Sequence, residues 1–337
     1  MRVMMRWLLS LIILTPSCCY SYQNYHWQAG FPTPLTGVGQ DLVQAQGAFL
    51  LKQQDYLQRR LGQVQPMIRW VARQVEARQL PALLSFVPLI ESSYRLDVVS
   101  HAGAAGPWQL MPQTASRFGV PINDSFDGRY SLPLATDAAL TYLAWLHRLF
   151  DGDWPLALAA YNAGEGRVTR AILAANSRNL WDLPLPEETR LYVARLLALS
   201  RVLQYPQRYG FVLPPWRQGA ELQIVSAPQG CSLLAWALEK GVSMNDASRW
   251  NPAWRLPQAQ GVSRCPIAYS QGEGRQPGEE KLVRKGPFIA STISLESLHD
   301  PLLLKASKGL DLGRGGIRLE RLPDPLGLDR PAAPLLP

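Results

Sequence analysis

Glu91 ends an apolar run in which Leu83, Leu84, Phe86, Val87, Leu89 and Ile90 can be covered only by a core. A carboxyl group in that position could do proton chemistry. Pro81 suits the first turn of a helix, and the spacing predicts a helix over 82–94, kinked where Pro88 removes an interior donor. Glu91 would then sit in its last turn, where the negative end of the helix and the apolar neighbours both favour the neutral, proton-donating form. A general acid needs that form. On this stretch alone the stronger reading is a glutamate on the solvent side of an amphipathic helix.

Two later stretches change the balance. Gly103-Ala104-Ala105-Gly106-Pro107-Trp108-Gln109-Leu110-Met111 is rich in small residues that permit close backbone approach, as a ligand groove requires. Ala160-Tyr161-Asn162-Ala163-Gly164 places two polar side chains at a helix end. With Glu91-Ser92, these motifs resemble the lysozyme-like lytic transglycosylases of peptidoglycan (the SLT domain). The nearest resemblance is to the membrane-bound lytic murein transglycosylase D group, which shares the Gly-x-Trp-Gln form and the run Phe150-Asp151-Gly152-Asp153-Trp154. It covers about residues 50–215.

The resemblance implies a mainly α, lysozyme-like (goose-type) catalytic domain that cleaves the β-1,4 bond between N-acetylmuramic acid and N-acetylglucosamine and leaves 1,6-anhydro ends. It implies Glu91 as the single catalytic acid and base, with Ser92 orienting substrate. Gln109 and Met111 would line the floor under the sugars, Tyr161 would hydrogen-bond the acid, and Asn162 would meet the sugar. Trp108 fits the core and the cleft equally well. The same-fold alternative is a muramidase that delivers water; a non-catalytic peptidoglycan-binding protein is the alternative from another class.

Most glycosidases use a second carboxylate about 5–9.5 Å from the first. Glu165 sits within Gly164-Glu165-Gly166-Arg167, where capping the next helix through its dipole accounts for it. Asp97, Asp124, Asp127 and Asp137 have no motif that favours them.

The elements that must position these residues come in order along the chain. Arg2 and Arg6, the short apolar stretch 7–15 and small residues beyond it form an export signal over residues 1–21, too short to span a bilayer. Thr15-Pro16-Ser17-Cys18 is a poor lipoprotein box, which favours simple secretion over a lipid anchor at Cys18. The expected location is the periplasm or cell envelope, with the mature protein soluble, or at most loosely associated with the membrane or anchored at its start. The net charge of +8 falls to +6 without Arg2 and Arg6, a surplus that suits the carboxylates of peptidoglycan. No nucleic-acid-binding motif stands out, no cofactor or metal is expected, and a monomer is. Cys231 and Cys265 are expected to form a disulfide, because an isolated pair in an exported protein is short of ligands for zinc.

Loose helical spacing over 22–79 predicts a helical segment on the back of the catalytic domain, with Arg59, Arg60, Arg69 and Arg73 solvated. Within the catalytic domain, 80–215, helices are expected after Met111, over 134–150, from Asp153 to the Tyr161-Asn162 pair, over 167–176 and over 187–203. Residues 216–270 read as strand, helix, helix, strand, similar to the small glycan-binding LysM module. Gly230-Cys231-Ser232-Leu233 and Trp250-Asn251-Pro252 carry that likeness. A fragment ending near Pro215 is therefore expected to keep cleaving glycan. From 271 to 337 the mixture of Gly, Pro, charge and Leu has no sustained period and predicts an irregular tail.

Overall fold

The computed structural model describes residues 37–215, 221–228 and 230–271. The export signal, Cys18 and the tail beyond Gln271 lie outside the described residues. The fold is mainly α, with a small two-stranded sheet. Among the described residues, no helix is long and apolar enough to cross a membrane.

Two helices lead: α1, Gly37–Lys52, and α2, Gln54–Ala77. A 3-10 turn, Ala82–Phe86, then runs into α3, Val87–Ser92. The single helix over 82–94 is thus corrected. Pro88 occupies the first turn of a new helix, where its missing N–H costs nothing, rather than kinking an old one. The same device opens α4, Pro112–Arg117, α5, Leu132–Leu149, and α6, Trp154–Ala163, each with proline in its first turn. Asp153 caps α6 as expected, its Oδ1 accepting the Leu156 N–H at 2.9 Å. Next come α7, Glu165–Ala175, and α8, Glu187–Gln204.

Alanines let the central helices approach closely. Ala138 and Ala139 of α5 and Ala157, Ala159 and Ala160 of α6 are buried where α5 meets α6 and α6 meets α8. One apolar core runs from Val43 in α1 past Phe211 to Leu222 and Ala268, and takes in Leu57, Leu61, Val64, Ile68 and Val71 of α2. The leading helices therefore share the core of the helices that follow them, and α1 packs along α8.

In the C-terminal part, β1, Glu221–Ser226, pairs antiparallel with β2, Pro266–Gln271, from Glu221 opposite Gln271 to Ser226 opposite Pro266. Between them lie α9, Leu233–Lys240, and α10, Met244–Trp250. Buried Asn251 ties α10 to β2: its amide donates to the Ala247 and Ala268 carbonyls at 2.8 Å, and its Oδ1 accepts the Ala268 N–H at 2.7 Å. Cys231 and Cys265 are joined, with Cα atoms 5.6 Å apart. The module is not a free appendage. Phe126 stands edge-on to Trp254 with ring centroids 4.9 Å apart, and Leu134 packs with Ala253, Ala259 and Cys265.

Candidate active site

Glu91 occupies the last turn of α3 and is half-buried. The helix stops because Ser93 and Tyr94 both take left-handed backbone angles, φ 54° and 59°. Their N–H groups close back on the Leu89 and Pro88 carbonyls at 3.1 and 2.9 Å. From α2, the Arg60 guanidinium donates to the Ser93 carbonyl at 2.6 Å, and the Tyr56 hydroxyl donates to the Ser93 Oγ at 3.2 Å. Arg60 is therefore a fixture of the site's backing and not a solvated charge.

Burial pushes the Glu91 carboxyl up from its usual 4.5 to about 7; a donor from Tyr192 opposes the rise and the Glu188 charge adds to it. Both phenols near this carboxyl, Tyr161 and Tyr192, are pushed well above their usual range by burial and by the Glu91 charge, so both stay protonated donors. The Tyr192 hydroxyl is buried and has no hydrogen-bond partner of strict geometry; it faces Glu91 from α8. Glu188, one turn earlier on α8, is exposed and is itself raised by partial burial, with Arg195 acting against the rise.

The turn over 103–111 forms the wall beside Glu91, and its backbone is bonded on several sides. Ser92 is fully buried and its hydroxyl proton goes to the Pro107 carbonyl at 2.9 Å, with the Pro88 carbonyl also near at 3.2 Å. The expectation that Ser92 orients substrate is corrected: its hydroxyl is consumed in tying α3 to the turn. Tyr161 is corrected too. Its hydroxyl donates to the Trp108 carbonyl at 2.7 Å, and the phenol directed at Glu91 is Tyr192. Trp108 is core, with no exposed surface and its indole N–H on Thr136 Oγ1 at 2.8 Å.

Gln109 holds φ +48°, and its Nε2 donates to the Gly106 carbonyl at 2.8 Å and to the Val98 carbonyl at 3.3 Å, so the side chain braces its own turn. Met111 is 42% exposed and Asn162 is exposed at the end of α6, so both are free to meet a ligand. Gly106 is needed for another reason than a ligand's approach. At φ +74°, a Cβ there would run into the Arg129 carbonyl.

Three of the other acids, Glu165, Asp127 and Asp137, are engaged. Glu165 opens α7, and its two oxygens take Arg117 at 3.2 Å and the Tyr142 hydroxyl at 2.9 Å. Arg117 also lies over the Trp145 ring, 4.3 Å from the centroid. Asp127 is fully buried between Arg129 and Arg255, and Asp137 pairs with Arg78 and Arg264. Sequence reasoning missed Tyr192 and Glu188 because Glu187-Glu188 is explained by the helix dipole and Tyr192 by burial. The available signal was that Glu188 and Tyr192, four apart on α8, share one face.

Residues 69–183 match the transglycosylase SLT domain. The membrane-bound lytic murein transglycosylase D of Escherichia coli (strain K12) is 35% identical over 215 residues, 63% of this chain and 48% of that protein. The soluble lytic murein transglycosylase of the same strain is 31% identical over 124 residues, 34% of this chain and 19% of that protein. The chain thus spans about half the length of the first of these relatives and a smaller share of the second. Among solved structures, the 70 kDa soluble lytic transglycosylase of Escherichia coli is similar at 27% identity and a TM-score of 0.36, covering 41% of this chain and 24% of that one. Glu91, at the end of α3, thus lies within the stretch 69–183 that matches the transglycosylase SLT domain, and the chain is similar to lytic murein transglycosylases.

Proposed function

We propose that this protein is an exported peptidoglycan lytic transglycosylase, acting in the cell envelope on the bond between N-acetylmuramic acid and N-acetylglucosamine. The observation that carries the reading is Glu91 itself, a carboxyl pushed up to about 7 and therefore largely protonated at mildly acidic pH. It protonates the leaving glycosidic oxygen. The carboxylate so formed then takes the proton of the muramyl 6-hydroxyl as that oxygen attacks C1, which returns Glu91 to its starting state and closes a 1,6-anhydro ring. Tyr192 is placed to donate to the carboxylate between the two steps, while Met111 and Asn162 present their exposed side chains to the glycan.

The preference for the internal hydroxyl follows from proximity. That nucleophile is tethered to the reacting sugar, and its effective concentration can exceed that of water without a second catalytic carboxylate. Glu165, Asp127 and Asp137 are all held by cations and are poorly available as that second group. A second reading, hydrolysis, is favoured by one observation: Glu188 is exposed and close enough for its charge to act on Glu91. It could hold a water molecule.

Borohydride treatment of muropeptides released from purified sacculi separates the two. Anhydro ends have no hemiacetal and resist reduction. Quantitative reduction of the muramyl ends would make the protein a muramidase, and release of nothing by the folded protein would remove the enzymatic reading.

A further inference from the structure

We propose that Arg255, in the C-terminal module, is a positioning residue for the active site: it completes the ion cluster on Asp127 that holds Arg129 against the turn beside Glu91. The inference rests on the enzymatic reading above and adds a role for the module that glycan binding does not require.

Asp127 has no exposed surface, and Arg129 closes on it with both arms of its fork. Nε reaches Oδ1 at 3.0 Å and the far guanidinium nitrogen reaches Oδ2 at 2.7 Å. Oδ2 also accepts from Arg255 at 2.9 Å. A buried carboxylate is stable only when its acceptor sites are filled, and here one of the two cations comes from another module. The third guanidinium nitrogen of Arg129 points the other way and donates to the Gly103 carbonyl at 2.7 Å, with the Leu110 carbonyl at 3.5 Å. Gly103 and Leu110 bracket the turn that contains Gly106 and Gln109.

From its far side the same turn receives Ser92 Oγ on the Pro107 carbonyl and the Tyr161 hydroxyl on the Trp108 carbonyl. Ser92 follows Glu91 directly. The turn is therefore clamped between the residue next to the acid on one side and the ion cluster on the other.

Arg255 also grips the loop that carries Asp127. Its second nitrogen donates to the Asn123 carbonyl at 2.9 Å and its own N–H to the Ser125 carbonyl at 3.0 Å, so the loop that carries Asp127 is held from the module. The Asp127 N–H in turn donates to the Ala253 carbonyl at 2.9 Å. Within the module, the Trp254 indole N–H donates to the carbonyl of disulfide-bonded Cys231 at 3.0 Å, which fixes the segment presenting Arg255. A fragment ending near Pro215 would lack this support, contrary to the expectation that it cleaves unaided.

The test uses the full chain and soluble, uncrosslinked peptidoglycan strands, with kcat, KM and Tm measured for Arg255→Ala, Arg255→Lys and Arg264→Ala. Arg264 is the control, because it joins the module to half-buried Asp137 at 3.1 Å and does not touch the Asp127 cluster. For Arg255→Ala, kcat/KM should fall about tenfold, most of it in KM, because a displaced wall misplaces the sugar before it weakens the acid. Arg255→Lys keeps the charge but cannot reach Asp127 and the Asn123 carbonyl together, and should fall between wild type and Ala. Arg264→Ala should match wild type. Wild-type constants in both Arg255 variants overturn the proposal, and if the Ala variant does not fold, the Lys variant decides by the same criterion. An inactive wild-type protein would instead sink the enzymatic reading, so the two failures are distinguishable.

Discussion

Replacing Glu91 by glutamine should abolish turnover and, at the same time, stabilise the protein, progressively more from about pH 4.5 up to pH 7. The sign follows from linkage. The Glu91 carboxyl titrates near its usual 4.5 in the unfolded chain and near 7 in the fold, so the fold binds the proton more tightly. Below pH 4.5 both states are protonated and Glu91 costs nothing. As the pH rises from 4.5 to 7 the unfolded chain gives up this proton while the fold keeps it, so stability is lost progressively, and above 7, where the fold holds a charged carboxylate among apolar neighbours, the loss is complete. At about 1.36 kcal/mol for each unit between the two values, the full cost above pH 7 is roughly 3 kcal/mol. Because Glu91 keeps some contact with solvent, about 2 kcal/mol is the better figure. The amide avoids that charge at every pH. For a fold of this size, about 2 kcal/mol corresponds to a rise in Tm of roughly 4–8 °C. Thermal unfolding of the two proteins at pH 4 and pH 8 reads the effect directly. The difference in Tm should be near zero at pH 4 and several degrees in favour of the variant at pH 8. Equal differences at the two pH values would mean that Glu91 is solvated and unperturbed, and the argument for it as the proton donor would fail.

The remaining predictions concern the groups around it. Activity that needs protonated Glu91 should decline above pH 7; Tyr192→Phe removes a donor to the carboxylate and should move that limb to higher pH, whereas Glu188→Gln removes a negative charge and should move it lower. Shifts of one sign in both variants would refute the assignment. Gly106→Ala should cost at least about 2 kcal/mol in urea unfolding, since alanine must adopt φ +74° and also displace the Arg129 carbonyl; a loss below 1 kcal/mol would show that the turn can relax. Changing Cys231 and Cys265 together to serine should destabilise the module by about 2–4 kcal/mol, and mass mapping without reduction should find the native pair joined.

Much of this was legible in the residues alone, because local physics decides it. The first-turn prolines and the Asp153 cap fix helix starts by satisfying or removing N–H groups within a few residues. The strand, helix, helix, strand order from 221 to 271 follows from alternation in the strand and from the glycine at 241 that ends the first helix. Glu91 stood out because a carboxyl at the end of an apolar run is anomalous wherever the run folds. What the sequence could not say is which hydroxyl reaches which oxygen. Tyr161 lies within a recognisable motif, yet its hydroxyl goes to the Trp108 carbonyl, and Tyr192, about 100 residues from Glu91 and in no motif used here, faces the acid. Nor could it pair Asp127 with Arg129 and Arg255, since partners 128 positions apart meet only once the module docks. Backbone form is set by neighbours in the chain, whereas the desolvation that raises the Glu91 carboxyl and the pairing that neutralises Asp127 depend on what the packed fold places within a few ångströms.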